Sequence, residues 1–158
     1  MPENAYPLTP SSLDELRDLI GKELGPTDWH EVTQERVDAF ADATGDHQWI
    51  HVDPERAAAG PLGTTIAHGL YTLSLESAFL YALLSFEGFA HGLNYGYDKV
   101  RFPAPLPVGS RVRMTSTLVD VAEVTGGIQL RFRQTFEREG ADRPVCVAES
   151  VARVVERS

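Results

Sequence analysis

One cysteine, Cys146, is all the chain holds. That excludes an intrachain disulfide and any zinc site built on paired cysteines, and it fits a reducing, cytoplasmic setting. Basic residues are scarce as well: 14 Lys and Arg stand against 23 Asp and Glu, a formal net charge of −9. Nucleic-acid binding normally needs a basic face, so no nucleic-acid partner is expected. Long apolar runs are missing too. The most apolar stretch, residues 70–89, is interrupted by Thr72, Ser74, Glu76, Ser77, Ser85 and Glu87. A membrane span needs about 20 predominantly apolar residues, so this stretch reads as a buried helix and no membrane partner is expected. Met1–Tyr6 has no basic segment followed by an apolar run, so no signal peptide is expected. Neither a G-x-S-x-G elbow nor a G-x-G-x-x-G phosphate loop occurs, which argues against serine hydrolase chemistry and against a nucleotide cofactor. No cofactor is predicted.

What remains is an ordinary globular chain of 158 residues, 42% hydrophobic and 23% charged. A chain of this size buries roughly 70% of its unfolded surface and needs no staples. Residues 1–10 read as a flexible N-terminal arm and 11–158 as one domain. Ser12 and Glu15 form a capping-box pattern, and Leu13, Leu16, Ile20 and Leu24 recur at helical spacing. Trp29 and Val32 suggest a short strand. Thr33 is placed to cap a helix over 34–43, which Gly45 would end in the left-handed conformation. Asp53 and Pro54 suit the start of another short helix. From about Ala67 to Phe86 the chain predicts one helix, apolar on most of its surface and therefore central.

After Gly88 the pattern alternates with period two. Strands are predicted at 95–102, 111–119, 128–136 and 145–155, with a hairpin at Gly126-Gly127. The architecture that satisfies these elements is α+β: a single hot-dog domain, a long antiparallel sheet wrapped around a central helix.

Chemistry concentrates in Thr44–Pro54. Asp46 and His51 put a carboxylate and an imidazole on an irregular segment after a helix end. Such a pair can hold one water and move its proton. The same residues can also be a turn cap and a buried polar group. A metal site is a further reading, with Asp46, His47, His51 and Asp53 as ligands, but Gly45 and Pro54 bracket the segment and weaken the i,i+4 argument for His47 and His51. No metal is predicted. Downstream, His68-Gly69 opens the apolar helix. A glycine amide there can approach a ligand and stabilise a developing oxyanion, or can simply let the helix pack closely. Ser77, eight residues along, would face the same pocket edge if the helix is continuous, or bond the carbonyl four residues back. Lys99, Arg101, Arg111, Arg113, Arg131 and Arg133 form either a local basic strip or solvated strand faces. Leu70, Tyr71, Leu75, Phe79, Phe86 and Phe89 either line a tunnel or fill the core.

Ala43 to His51, followed after five residues by Ala57, resembles the hydratase-2 motif of MaoC-like dehydratases and (R)-specific enoyl-CoA hydratases. Ile66-Ala67-His68-Gly69 and Asp98 to Pro105 match the same family in the same order. The chain departs from the usual Asn-Pro at Gln48-Trp49, a variant similar to nodulation-protein-N-like members. The resemblance implies a homodimer and an acyl-CoA substrate. It implies reversible hydration of a trans-2-enoyl-CoA to the (R)-3-hydroxyacyl-CoA by Asp46 and His51. It also implies that the Gly69 amide holds the thioester oxygen and that Ser77 orients the aspartate, with His68 in support. Gln48 then reads as a segment-holding amide and Trp49 as packing. A hot-dog thioesterase and a non-catalytic acyl-thioester-binding subunit are the competing readings.

Overall fold

A computed structural model describes residues 5–158. Leu8 is fastened to the body: its N–H donates to the Leu83 carbonyl at 2.9 Å, and its own carbonyl accepts from the Ser85 N–H at 2.8 Å. Residues 1–4 of the expected arm lie outside the described residues.

Helix α1 (Leu13–Arg17) starts where Ser12 accepts from the Glu15 N–H at 3.2 Å. It is shorter than the leucine spacing predicts. Turns that include Gly21, at φ +85°, lead instead into strand β1 (Glu23–Leu24), where Leu24 is buried as a strand residue. Strand β2 (His30–Glu31) and helix α2 (Gln34–Thr44) follow as expected. Beyond them come α3 (Trp49–Val52), α4 (Pro54–Ala58), α5 (Gly69–Ser74) and α6 (Glu76–Leu83).

The predicted single helix over 67–86 is therefore two. The break is local chemistry: Ser74 Oγ donates back to the Leu70 carbonyl at 2.6 Å, and the Leu75 N–H bonds three residues back, to Thr72, rather than four. Such back-bonding bends a helix. The α+β architecture holds, with a broken helical segment at its centre.

Four long strands, β3 (Phe89–Arg101), β4 (Arg111–Val124), β5 (Gly127–Arg138) and β6 (Cys146–Glu156), join β1 and β2 in one sheet, every pairing of which is antiparallel. The order is β1-β4-β5-β6-β3, with β2 also on β4. Strand β3 begins at Phe89 rather than Tyr95. Three register shifts along its pairing with β6 obscure the period-two pattern that marks a strand in sequence. Phe79, Leu80 and Leu83 of α6 enter one core cluster with Met114, Leu118, Phe132, Phe136 and Val154 of the sheet. The Phe79 and Phe136 ring centroids lie 6.1 Å apart. Among the described residues, no helix is long and apolar enough to cross a membrane.

Three of the six residues of the basic strip pair with carboxylates. Arg111 forms a two-pronged pair with Glu139 at 2.5 and 2.7 Å, Arg113 pairs with Glu137, and Arg131 with Asp98. Arg113 also lies 4.1 Å over the Trp29 ring. Exposed pairs of this kind contribute roughly 0–1 kcal/mol each, and they leave Arg111, Arg113 and Arg131 as strand-face residues with acidic neighbours.

Candidate active site

The Thr44–Pro54 segment is built by its two flanking caps. Thr33 accepts from the Arg36 N–H at the start of α2, and Gly45, at φ 82°, ends it with an N–H bonded to the Ala41 carbonyl at 2.8 Å. Only glycine takes that left-handed turn at little cost. Asp53 then caps α4, accepting from the Arg56 N–H at 3.1 Å. Between the caps, the single turn of α3 directs His51 inward.

His51 is 6% exposed, and its Nδ1 lies 2.7 Å from the Ile66 carbonyl oxygen. A carbonyl only accepts, so Nδ1 carries the proton and the neutral ring presents a bare Nε2. His68, 3% exposed, lies over it with ring centroids 3.8 Å apart. His68 Nε2 in turn donates to the Asp46 backbone carbonyl at 3.0 Å. The Asp46 carboxylate is exposed and accepts from the Gln48 N–H at 3.3 Å. One ligand-capable atom from each of Asp46, His51 and His68 lies within 4.8 Å of the others. Burial pushes the His51 imidazole below its usual range, and the neighbouring His68 adds to the shift. The bond to Ile66 and the Asp46 charge oppose it.

The structure thus brings together Asp46, His51 and His68. His68 is a full member of the cluster rather than a support. These three groups, and not His47 with His51, form the set whose chemistry suits either a held water or a cation. His47 turns outward and bonds Asp42 at 2.9 Å.

The amide that holds the segment is Gln34, which sequence reasoning missed. Its Nε2 donates to the His51 carbonyl at 2.7 Å and to Asp38 at 2.8 Å, and its Oε1 accepts from Thr65 Oγ1 at 2.6 Å. It ties α2, the His51 turn and the segment before His68 into one unit. Gln48, assigned that task from sequence, is exposed, and its part in the hydrogen bonds of this segment is played by its backbone. Trp49 packs as expected: a Cβ on Gly60 would lie 3.4 Å from its ring, and Arg56 sits 4.4 Å above it.

Gly69 is the first residue of α5, where helix geometry leaves amides without an intrahelical acceptor. A cleft lined by Ile66, Gly69, Thr72, Phe102, Pro103 and Leu106 opens beside it. The Phe102 ring would lie 2.9 Å from a Cβ placed on Gly69. Ser77 does not share this cleft. It donates to Glu76 at 3.4 Å and lines a second cleft with Leu80 and Ser150. The eight-residue arithmetic assumed an unbroken helix, and the turn at Leu75 invalidates it. Of the six apolar candidates, Tyr71, Phe79 and Phe89 are core, Leu75 is half-buried against that core, Leu70 is exposed, and Phe86 lines the second cleft.

Comparison with known proteins places this geometry in context. The model of the MaoC like domain matches residues 15–138. The chain is similar to 3-hydroxyacyl-thioester dehydratase Z of Mycobacterium tuberculosis, 54% identical over 145 residues, covering 91% of this chain and 96% of that protein. It is also similar to Nodulation protein N of Rhizobium leguminosarum, 45% identical over 146 residues, covering 87% of each. Among solved structures, the (R)-hydratase from A. caviae superposes with a TM-score of 0.70 at 21% identity, over 84% of this chain and 94% of that one. At that identity the likeness shows the fold, which is the hot-dog arrangement.

Proposed function

The chain belongs to the MaoC-like dehydratase family and is a hydro-lyase, and from that premise we propose that it hydrates trans-2-enoyl-CoA reversibly to (R)-3-hydroxyacyl-CoA. The observation that carries the proposal is a buried His51, its Nδ1 committed to the Ile66 carbonyl and its imidazole gathered with Asp46 and His68. A water between Asp46 and His51 is polarised by the carboxylate and faces an imidazole able to take its proton. As the water oxygen bonds to C3, that proton passes to the pair, and the pair returns one proton to C2. The C2=C3 double bond is lost, and the elements of water are added with no change elsewhere. Charge that develops on the thioester oxygen is met by the Gly69 amide at the start of α5. A single well-placed donor of this kind contributes about 10²–10³ in rate.

The chain acts as a homodimer in this reading. Strand β3 ends the sheet, spans thirteen residues and leaves Leu93 and Tyr95 exposed. A long unpaired edge with apolar side chains is a ready surface for a second copy.

The test is an assay with crotonyl-CoA, following loss of the enoyl-thioester absorbance and assigning the product's configuration by chiral analysis. The (R)-3-hydroxy product is expected. Free CoA without hydration would make the protein a thioesterase, and absence of turnover across chain lengths would make it an acyl-binding subunit.

A further inference from the structure

His68 is held by fewer bonds than its burial would suggest. It is 3% exposed, yet among the described residues its side chain makes one hydrogen bond, from Nε2 to the Asp46 carbonyl at 3.0 Å. Its buried Nδ1 has no partner among them. One bond through one ring nitrogen leaves the plane of an imidazole loosely set, because χ2 of histidine is a broad torsion. The plane is left to the rings packed against it. His51 is one, with centroids 3.8 Å apart. Phe40 is another, at 4.9 Å and inclined by 56°.

Phe40 stands near the end of α2, and its carbonyl accepts from Thr44 Oγ1 at 2.8 Å, just before Gly45 ends the helix. The end of α2 therefore meets His68 at two points, through the Phe40 ring and through the Asp46 carbonyl that follows. The Phe40 ring is half-buried against the core. Tyr71 braces it, edge-on, with centroids 5.8 Å apart and planes at 84°. Tyr71 is 6% exposed, and its hydroxyl lies 2.7 Å from His30 Nε2 on β2. Burial, and Arg36 after it, hold the His30 imidazole below its usual range, while burial raises the Tyr71 phenol against the opposing effect of Arg36. One short hydrogen bond then joins a neutral pair and pins the Tyr71 ring. His30, Tyr71, Phe40, His68 and His51 thus form one continuous row of rings, from β2 to the acid/base pair.

We infer that Phe40 is a positioning residue of the hydratase site: its ring, located by Tyr71, holds the His68 ring against His51 and so keeps His68 Nε2 on the Asp46 carbonyl. The action is indirect, because a phenyl ring has no proton to give or take. It keeps Asp46 and His51 within reach of one water, where a displacement of about 1 Å can cost about 10²-fold in rate. Tilted and edge-on contacts are the favoured geometry of aromatic pairs. An aliphatic side chain fills the same space but offers no flat face to set a neighbouring plane. The inference rests on the hydratase reading for its kinetic consequence, though not for the geometry of the row.

Crotonyl-CoA kinetics and proton NMR on the full chain test it together. Phe40→Leu keeps an apolar side chain and removes the ring. It is expected to lower kcat about tenfold, with KM changed less than about twofold, the pattern of a misplaced reacting group rather than of lost substrate binding. Phe40→Tyr keeps the ring, and its hydroxyl can reach solvent from a half-buried site, so most of kcat should remain. Tyr71→Phe keeps every ring and deletes only the bond to His30. A smaller loss in the same direction is expected, and this variant carries the test if Phe40→Leu does not fold. Phe132→Leu makes the same truncation at a sheet residue of the core and should lower Tm while leaving kcat unchanged. In NMR, the His68 Nε2–H resonance is assigned by its absence in His68→Gln. It should be protected from exchange in the parent and in Phe40→Tyr, and should exchange about tenfold faster in Phe40→Leu, as a locally loosened group does. Parental kcat in Phe40→Leu overturns the inference. So does an equal loss of kcat in Phe132→Leu, or a His68 resonance unaffected by Phe40→Leu and Tyr71→Phe alike. If the parent does not turn over crotonyl-CoA, the hydratase reading falls, and the exchange measurement by itself decides whether Phe40 holds His68.

Discussion

His51 and His68 stack face to face, with ring centroids 3.8 Å apart and planes 23° apart. Each commits its one N–H to a backbone carbonyl, His51 to Ile66 and His68 to Asp46. The backbone therefore sets both tautomers and leaves His51 Nε2 and His68 Nδ1 bare. Through its bond to the Asp46 carbonyl, the histidine of the second motif also positions the carboxylate of the first.

A pH profile should register this stack. His51 lies below its usual value of 6.5, chiefly through burial, with His68 contributing. Its folded value is depressed, so its contribution to stability is complete above the unfolded imidazole pKa and is lost as pH falls toward the folded value. The acidic limb of kcat/KM should accordingly fall below pH 6.5. His68→Gln removes the neighbouring imidazole, which contributes to the lowering of His51, and should move that limb upward. A limb at or above 6.5 would contradict a neutral His51 as the base.

Removal of either member of the proposed pair should abolish most turnover without unfolding the chain. Asp46→Asn and His51→Gln are each expected to lose about 10²–10⁴ in kcat, the usual scale for acid/base groups. Circular dichroism should be unchanged. Near-normal turnover in either variant removes that residue from the mechanism.

Gln34 and Gln48 make opposite predictions. Gln34→Ala leaves the His51 carbonyl and the Thr65 hydroxyl without their partner, which costs about 1–3 kcal/mol. A lower Tm and a lower kcat should appear together. Gln48→Ala, at an exposed side chain, should stay within about 0.5 kcal/mol. Thermal melts and crotonyl-CoA kinetics on both variants decide between them.

Gly69 and Phe102 should be coupled. A Cβ at Gly69 would meet the Phe102 ring at 2.9 Å, closer than van der Waals contact allows, so Gly69→Ala must move that ring and disturb the amide. Phe102→Leu in the same chain should restore part of the loss. A double-mutant cycle on kcat/KM is expected to show an interaction above about 0.5 kcal/mol. Strict additivity would mean that the ring is not what makes glycine necessary there.

Glu76 should weaken the fold as pH rises. Burial raises its folded pKa above the ordinary 4.5, against the bonds from Gln134 and Ser77 that lower it. Stability linked to a raised pKa is complete below the unfolded value and is lost as pH rises through the folded one. Glu76→Gln has no such dependence. Its Tm relative to the parent should rise as pH is taken from about 4.5 to neutral, and a constant difference would show that Glu76 ionises without penalty.

Much of this protein was legible in its residue order. Thr33, Gly45, Asp53 and Pro54 mark helix ends through chemistry confined to a few neighbouring residues, and each mark corresponds to an observed cap. Period-two alternation placed β4, β5 and β6, because one face of each packs against a core. Asp46, His51 and His68-Gly69 were picked out as polar groups at the edges of structured elements. Other features depend on contacts that no local pattern encodes. The division of the central helix rests on a Ser74 back-bond and the turn at Leu75. The bracing by Gln34 spans 17 residues to His51 and 31 to Thr65. The Glu76–Gln134 bond spans 58. The sequence by itself determined which residues are candidates for acid, base and amide, since those are properties of side-chain type and local backbone. Only the tertiary structure decided that His68 stacks on His51 and that Ser77 belongs to Glu76 rather than to Asp46, because long-range packing and hydrogen bonding set which side chains share a volume.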